Sequence, residues 1–243
     1  MNETLLIAAL AFTPLTAVTA TNARRTTDHL RLGQREIRVE FFAPHDAPAS
    51  RTVLLFHGVG GLLGDGALMR RTARAFVAMG FRAGIVHYFN ATGTLFATHA
   101  NVRDHAGDWR AAMEFVARHY AADAGAPVGL FGYSLGGFLA VGAAPELPQV
   151  GGIVVLAGGI LSEHESAVPG HLPPLLILHG GADIRVPPER AEALARLGRL
   201  AGAPVEAVIY AGEGHTFSTR AERDALERSG RFFAERLQAG AGR

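Results

Sequence analysis

A serine flanked by glycines, Gly132-Tyr133-Ser134-Leu135-Gly136, follows the apolar run Pro127 to Phe131 and precedes a helical stretch that reaches Ala144. Glycine on both sides permits a turn that a Cβ would crowd, and the strand-turn-helix context lifts the serine above the edge of a sheet. A hydroxyl at its ordinary pKa is a weak nucleophile and needs a base in reach. His215 can be that base, in Gly212-Glu213-Gly214-His215-Thr216-Phe217 between an apolar run and the last helical stretch. Between the two in chain order, Asp183 of His179-Gly180-Gly181-Ala182-Asp183-Ile184-Arg185-Val186-Pro187 can bond the far ring nitrogen of His215 and stabilise the imidazolium. Each has a plainer reading: a glycine-rich turn, a surface histidine, an aspartate at the start of a helix near Pro187. Glu163, Glu165 and Glu213 are rival acids on loops. The order serine, acid, histidine, each just after an expected strand, favours an acyl-transfer triad of Ser134, Asp183 and His215. Its tetrahedral oxyanion needs donors. The backbone N–H of Leu135 is one, and His57-Gly58-Val59-Gly60-Gly61 offers a second, Val59 with Gly60 as competitor. His57 itself suits a supporting hydrogen bond at a strand end.

These groups can meet only if a scaffold brings distant loops together. Strands are expected at Ile37 to Phe42, Thr52 to Phe56, Arg82 to Val86, Pro127 to Phe131, Gly151 to Leu156, Leu175 to Leu178 and Val205 to Tyr210. The segment Leu30 to Leu32 can form an entry hairpin across Gly33. Helices are expected at Ala67 to Met79, Val102 to Ala121, Glu189 to Leu200 and Ala221 to Leu237, besides the one after Ser134. Strands alternating with helices imply an α/β fold with a mostly parallel sheet covered on both faces and a site beyond the carboxyl ends of its strands.

The chain has 243 residues, 49% hydrophobic and 19% charged, which suits one domain with a large core and excludes disorder. A formal net charge of +1 without a basic run argues against a nucleic-acid partner. The absence of cysteine excludes disulfides, thiolate nucleophiles and cysteine zinc sites. Eleven histidines leave a histidine–carboxylate metal site conceivable, but no close-spaced ligand pair occurs, and neither metal nor cofactor is expected. Leu5 to Val18 followed by Val18-Thr19-Ala20 has the pattern of a secretory signal over residues 1–23, although its start carries Glu3 and no Lys or Arg. The run is too short, and too interrupted by Thr and Pro14, for a membrane span. The expectation is one domain over 24–243 in a periplasmic or secreted protein, of unassigned oligomeric state.

FHGVGG, Val86-His87-Tyr88-Phe89-Asn90-Ala91-Thr92-Gly93, GYSLGG, HGGADIRVP and GEGHTF together resemble the dienelactone hydrolase family of α/β-hydrolases, from about Val53 to Phe233. The resemblance implies an α/β-hydrolase fold and cofactor-free cleavage of a small ester or lactone. The family's prototype has cysteine at the elbow, where this chain has Ser134. Its glutamate beyond the strand ending at Phe56 is replaced by Gly58, and its two carboxylate-binding arginines by Asn90 and Thr219. Acyl chemistry carries over, and the anionic dienelactone substrate does not. Candidate pocket walls are Tyr88, Phe89, Asn90, Tyr133 and Phe217, with Leu95, Phe96 and the loop 158–171 nearby. A serine peptidase or amidase is the alternative with the same triad. A binding protein on this fold would fit a broken triad better.

Overall fold

The structure is a computed structural model that describes residues 23–45, 51–160 and 172–238. The expected signal segment, apart from its last residue, lies outside the described residues, as do Glu163, His164, Glu165 and His171.

Strands β1 (Ala23–Leu32) and β2 (Arg35–Pro44) form an antiparallel hairpin, paired from Ala23↔Pro44 to Leu32↔Arg35 around Gly33 at φ +59°. β1 is longer than the expected Leu30 to Leu32. It is an edge strand whose polar residues mostly face solvent, so apolar alternation hardly marks it. The remaining strands are β3 (Thr52–Phe56), β4 (Arg82–Val86), β5 (Val128–Tyr133), β6 (Val150–Leu156), β7 (Leu175–Gly180) and β8 (Val205–Tyr210). They make one eight-stranded sheet in the order β1-β2-β4-β3-β5-β6-β7-β8, parallel from β4 to β8. This is the mostly parallel α/β-hydrolase sheet.

The helices are α1 (Gly61–Gly64), α2 (Gly66–Ala78), α3 (His99–Ala124), α4 (Leu135–Ala143), α5 (Glu189–Leu200) and α6 (Thr219–Arg236). Alternation along β3 shows how both faces are used. Leu54 and Phe56 join one core with Trp109 of α3, Leu139 of α4 and Leu194 of α5. Val53 and Leu55 join another with Phe76 of α2 and Phe233 of α6. Phe76 lies 5.6–6.1 Å from the rings of Phe81, Phe131 and Phe233, edge to face, and truncating such a side chain costs about 3–5 kcal/mol. α3 begins earlier than the expected Val102 because Thr98 and Asn101 form a reciprocal capping box.

Glu40 breaks the apolar run of β2 and is nevertheless buried. It lies 2.8 Å from Arg25, 3.5 Å from Arg70 and 3.1 Å from Nε2 of His87. Burial alone would raise its pKa, but Arg70, His87 and Arg25 outweigh burial and hold the carboxyl below its ordinary value. The network ties the hairpin to α2 and to the end of β4.

Candidate active site

Ser134 sits between β5 and α4 with φ 51° and ψ −120°, a conformation that costs a residue with a Cβ on the order of 1–3 kcal/mol. Its neighbours fix it there. The Ser134 N–H donates to Leu156 O at 2.9 Å, and its carbonyl accepts from Gly137 N at 2.9 Å and Phe138 N at 3.3 Å. A Cβ on Gly136 would collide with the carbonyl oxygen of Phe56, so the helix can approach β3 only with glycine there.

The loop after β8 brings His215 to the serine. Ser134 Oγ lies 3.1 Å from His215 Nε2, and His215 Nδ1 lies 2.8 Å from Asp183 Oδ2. The other oxygen of Asp183 accepts from the N–H groups of Arg185 at 2.9 Å and Val186 at 3.0 Å, a turn that holds the carboxylate in place. Burial would raise the Asp183 pKa. The Val186 N–H, the His215 imidazole and the Arg185 N–H together outweigh burial and hold the pKa below its ordinary value. His179, at the end of β7 and fully buried, donates from Nε2 to Val186 O at 2.8 Å and stands 3.5 Å from Asp183 Oδ2. It braces the acid loop, a role that sequence reading had not assigned to it.

The loop after β3 supplies the facing wall. His57 Nδ1 donates to Gly58 O at 2.9 Å, and its ring stacks 4.3 Å from Tyr88. Burial lowers the His57 pKa to about 4, so the ring is neutral at physiological pH. The Val59 carbonyl accepts from Ala97 N at 2.7 Å, while among the described residues the N–H groups of Val59 and Leu135 are given to no loop or turn carbonyl.

A cavity of about 200 Å³ opens beside His215, with Tyr133, Leu68, Leu156 and Phe217 as apolar walls and Asp65, Arg71 and Glu222 as charged ones. Arg71 binds Glu222 through two parallel contacts of 3.0 Å. Tyr133 and Phe217 line this cavity. Three other expected wall residues do not. Tyr88 and Phe89 are buried beneath the loop, Tyr88 donating to His57 O at 2.8 Å and Phe89 packing 4.4 Å from Trp109. The 3₁₀ turn Tyr88–Ala91 rolls both rings into the core. Asn90 is exposed but accepts from Arg38 N at 3.3 Å. Leu95 and Phe96 stay on the surface, beside the loop that holds Val59. Sequence reasoning missed Asp65, Arg71 and Glu222, which lie on or just before helices with no motif to mark them.

Among the described residues, no group of three or more histidines and carboxylates is arranged to hold a metal, and no helix is long and apolar enough to cross a membrane.

A model of the dienelactone hydrolase family matches residues 37–235. None of the curated proteins compared with the chain matches it. Among solved structures, it is similar to a dienelactone hydrolase-like promiscuous phosphotriesterase from metagenomic libraries, at 20% identity over 89% of this chain and 100% of that one, TM-score 0.74. It is also similar to a dienelactone hydrolase from Anabaena variabilis, at 20% identity over 89% and 100% of the two chains, TM-score 0.71. A thermostable esterase from Pseudomonas putida matches at 19% identity over 92% and 86%, TM-score 0.71.

Proposed function

The chain belongs to the dienelactone hydrolase family, and we propose that it is a serine hydrolase that cleaves carboxylic esters or lactones through an acyl-enzyme. The observation that carries this reading is the unbroken relay from Ser134 Oγ to His215 Nε2 at 3.1 Å and from His215 Nδ1 to Asp183 Oδ2 at 2.8 Å. His215 takes the hydroxyl proton as Ser134 attacks the carbonyl carbon. The C–O bond to the leaving group then breaks, and His215 returns the proton to the alkoxide. Water, activated by the same imidazole, hydrolyses the acyl-serine and restores the enzyme. Asp183 keeps the proton on Nδ1 and offsets the charge of the imidazolium. The N–H groups of Leu135 and Val59 stabilise the oxyanion of both tetrahedral intermediates.

The charges of the cavity support neutral substrates. Asp65 and Glu222 are acidic, and Arg71 has its donors on Glu222. A buried carboxylate on the substrate needs a cationic partner, and Asn90 and Thr219 cannot supply one. The favoured substrates are therefore short, neutral, fairly apolar esters or lactones. Rapid mixing with a nitrophenyl ester, followed by acid quench and peptide mass mapping, should trap an acyl group on Ser134. A mapped adduct elsewhere, or turnover with no adduct, would overturn the mechanism. Preference for an ω-carboxylate ester over its neutral analogue in kcat/KM, lost in Arg185→Ala or Arg220→Ala, would overturn the substrate class alone. Export is proposed as well, on the apolar stretch Leu5 to Val18. The native protein should begin near Thr21 or Arg24 by mass spectrometry, and a start at Met1 or Asn2 would reverse this.

A further inference from the structure

The cavity of about 200 Å³ beside His215 lies on one particular side of the bond to be cleaved. His215 returns its proton to the leaving alkoxide, so the alcohol oxygen must come within hydrogen-bond reach of Nε2. The carbonyl oxygen must face the N–H groups of Leu135 and Val59. Three successive residues, His215, Thr216 and Phe217, form one wall of the cavity, whereas Leu135, Val59 and Gly60 form no part of it. The cavity is therefore on the alcohol side of the scissile bond. Its sides are made apolar by Leu68, Tyr133, Leu156 and Phe217. A closed cavity of about 150 Å³ holds one benzene ring. This one has room for a single ring or a short branched alkyl group, and not for two fused rings.

The fold itself fixes part of the wall. Tyr133 ends β5, Leu156 ends β6, and both are buried. The wall between α2 and α6 is of another kind. It consists of two side chains, Arg71 and Glu222, joined by contacts of 3.0 Å from Nε to Oε1 and 3.0 Å from Nη2 to Oε2. Arg71 is half exposed, so beyond this wall lies solvent rather than packed core. Two parallel contacts hold both side chains in one geometry, which a size limit requires. We propose that the cavity is the pocket for the alcohol part of an ester and that the Arg71–Glu222 pair sets its upper size at a single ring. This deepens the serine mechanism above and rests on it. A partly exposed ion pair contributes little to stability, so the wall can be opened without unfolding the chain.

Arg71→Ala opens the wall from α2, and Glu222→Ala opens it from α6. Ala67→Leu does the opposite, because Ala67 lines the cavity from an exposed position on α2 and the added branch narrows it. The wild type and these variants should be compared by kcat/KM on methyl, benzyl and naphthylmethyl acetate, which all leave the same acetyl group on Ser134. The wild type should favour benzyl over naphthylmethyl acetate by roughly 10-fold or more. Arg71→Ala and Glu222→Ala should each raise the naphthylmethyl-to-benzyl ratio roughly 10-fold, and Ala67→Leu should lower the benzyl-to-methyl ratio by a similar factor. The ratio of benzyl octanoate to benzyl acetate should move less than about threefold throughout, since the acyl chain lies elsewhere. An acyl ratio that moves more than the alcohol ratios would give the cavity to the acyl chain and overturn the proposal. So would a naphthylmethyl ratio that stays put in the opened variants, or a benzyl ratio that stays put in Ala67→Leu. Failure of both Arg71→Ala and Glu222→Ala to fold would assign the pair to the fold and end its role as a size limit. Turnover of benzyl acetate by the wild type with no acetyl group on Ser134 would remove the serine mechanism itself. Unmoved ratios on an acetylated Ser134 would remove the pocket assignment alone.

Discussion

Two carboxylate–imidazole pairs lie at the carboxyl side of the same sheet. Asp183 and His215 are 2.8 Å apart, and Glu40 and His87 are 3.1 Å apart. Both carboxylates are buried and both have pKa values held below the ordinary range by donors and cations that outweigh burial. The difference is on the far side of the ring. His215 presents Nε2 to a hydroxyl at 3.1 Å. His87 has Nδ1 3.0 Å from Arg38 Nη2, so its second nitrogen accepts from a cation and has no proton to collect. Burial first, then Arg38, lowers the His87 pKa to about 4 against the pull of Glu40. An acid and a histidine at hydrogen-bond distance are thus not enough for a base. What the remaining nitrogen faces decides whether the pair can move a proton or only hold two strands together.

The comparison can be broken most sharply at its reactive end. Ser134→Ala leaves the His215 pair intact and removes the hydroxyl it serves. Fluorophosphonate labelling should vanish, and ester turnover should fall on the order of 10⁴-fold or more; labelling at an unchanged rate would show that the hydroxyl is not the nucleophile. Next come the two carboxylates, each made neutral in the same way. Asp183→Asn should lower kcat by roughly 10²- to 10⁴-fold through the wrong tautomer of His215 and keep the fold. Glu40→Gln should do the reverse, leaving kcat within about threefold while costing roughly 1–3 kcal/mol of stability, as buried partners lose a charged acceptor. Urea unfolding and steady-state assays on the same samples check both, and a crossed result would mean that the pairs had been assigned the wrong way round.

The smallest effect is a slope. His57 and His87 titrate near 4 in the folded chain, against 6.5 for an exposed imidazole. Between those values the unfolded chain binds protons that the native state refuses, so stability falls as pH drops from about 6.5 towards 4 and is flat above. Each group adds up to about 1.4 kcal/mol per pH unit inside that window. The urea midpoint of the wild type should decline over this range, and His87→Asn should decline less steeply from its own starting point. Equal slopes would mean that His87 is not held neutral. Asp183 and Glu40 act lower down: their stabilisation is complete above their ordinary pKa and is lost as pH falls through the depressed native values.

The Asp183–His215 pair was legible in the sequence and the Glu40–His87 pair was not, for physical reasons. Ser134, Asp183 and His215 each follow an apolar strand, and a parallel sheet carries strand ends to one edge whatever the loops do. Glu40 and His87 meet across the antiparallel contact of β2 with β4, where Val39 faces Val86, and no local pattern announces that register. The surroundings of two candidate wall residues were hidden similarly. Tyr88 and Phe89 follow a strand end just as Tyr133 nearly does, but a 3₁₀ turn rolls them inward onto His57 and Trp109. Asp65 was invisible because its neighbours, Gly64 and Gly66, read as loop. Most of β1 was missed because an edge strand can be polar on nearly every residue, as Arg24 to His29 are.

The 81 residues that separate Ser134 from His215 also set a clock. At about 5–20 residues per second, a ribosome finishes the elbow roughly 4–16 s before it makes the imidazole. During that interval β5 and the strands before it can pair, β6, β7 and β8 are still being made, and α6 does not yet exist. On the mechanism proposed above, a nascent chain carries Ser134 without its base for those 81 of 243 residues, a third of its synthesis. On that mechanism, the loop between β8 and α6 is what switches the chemistry on. In refolding experiments, reactivity toward a fluorophosphonate should accordingly lag behind the recovery of helical circular dichroism.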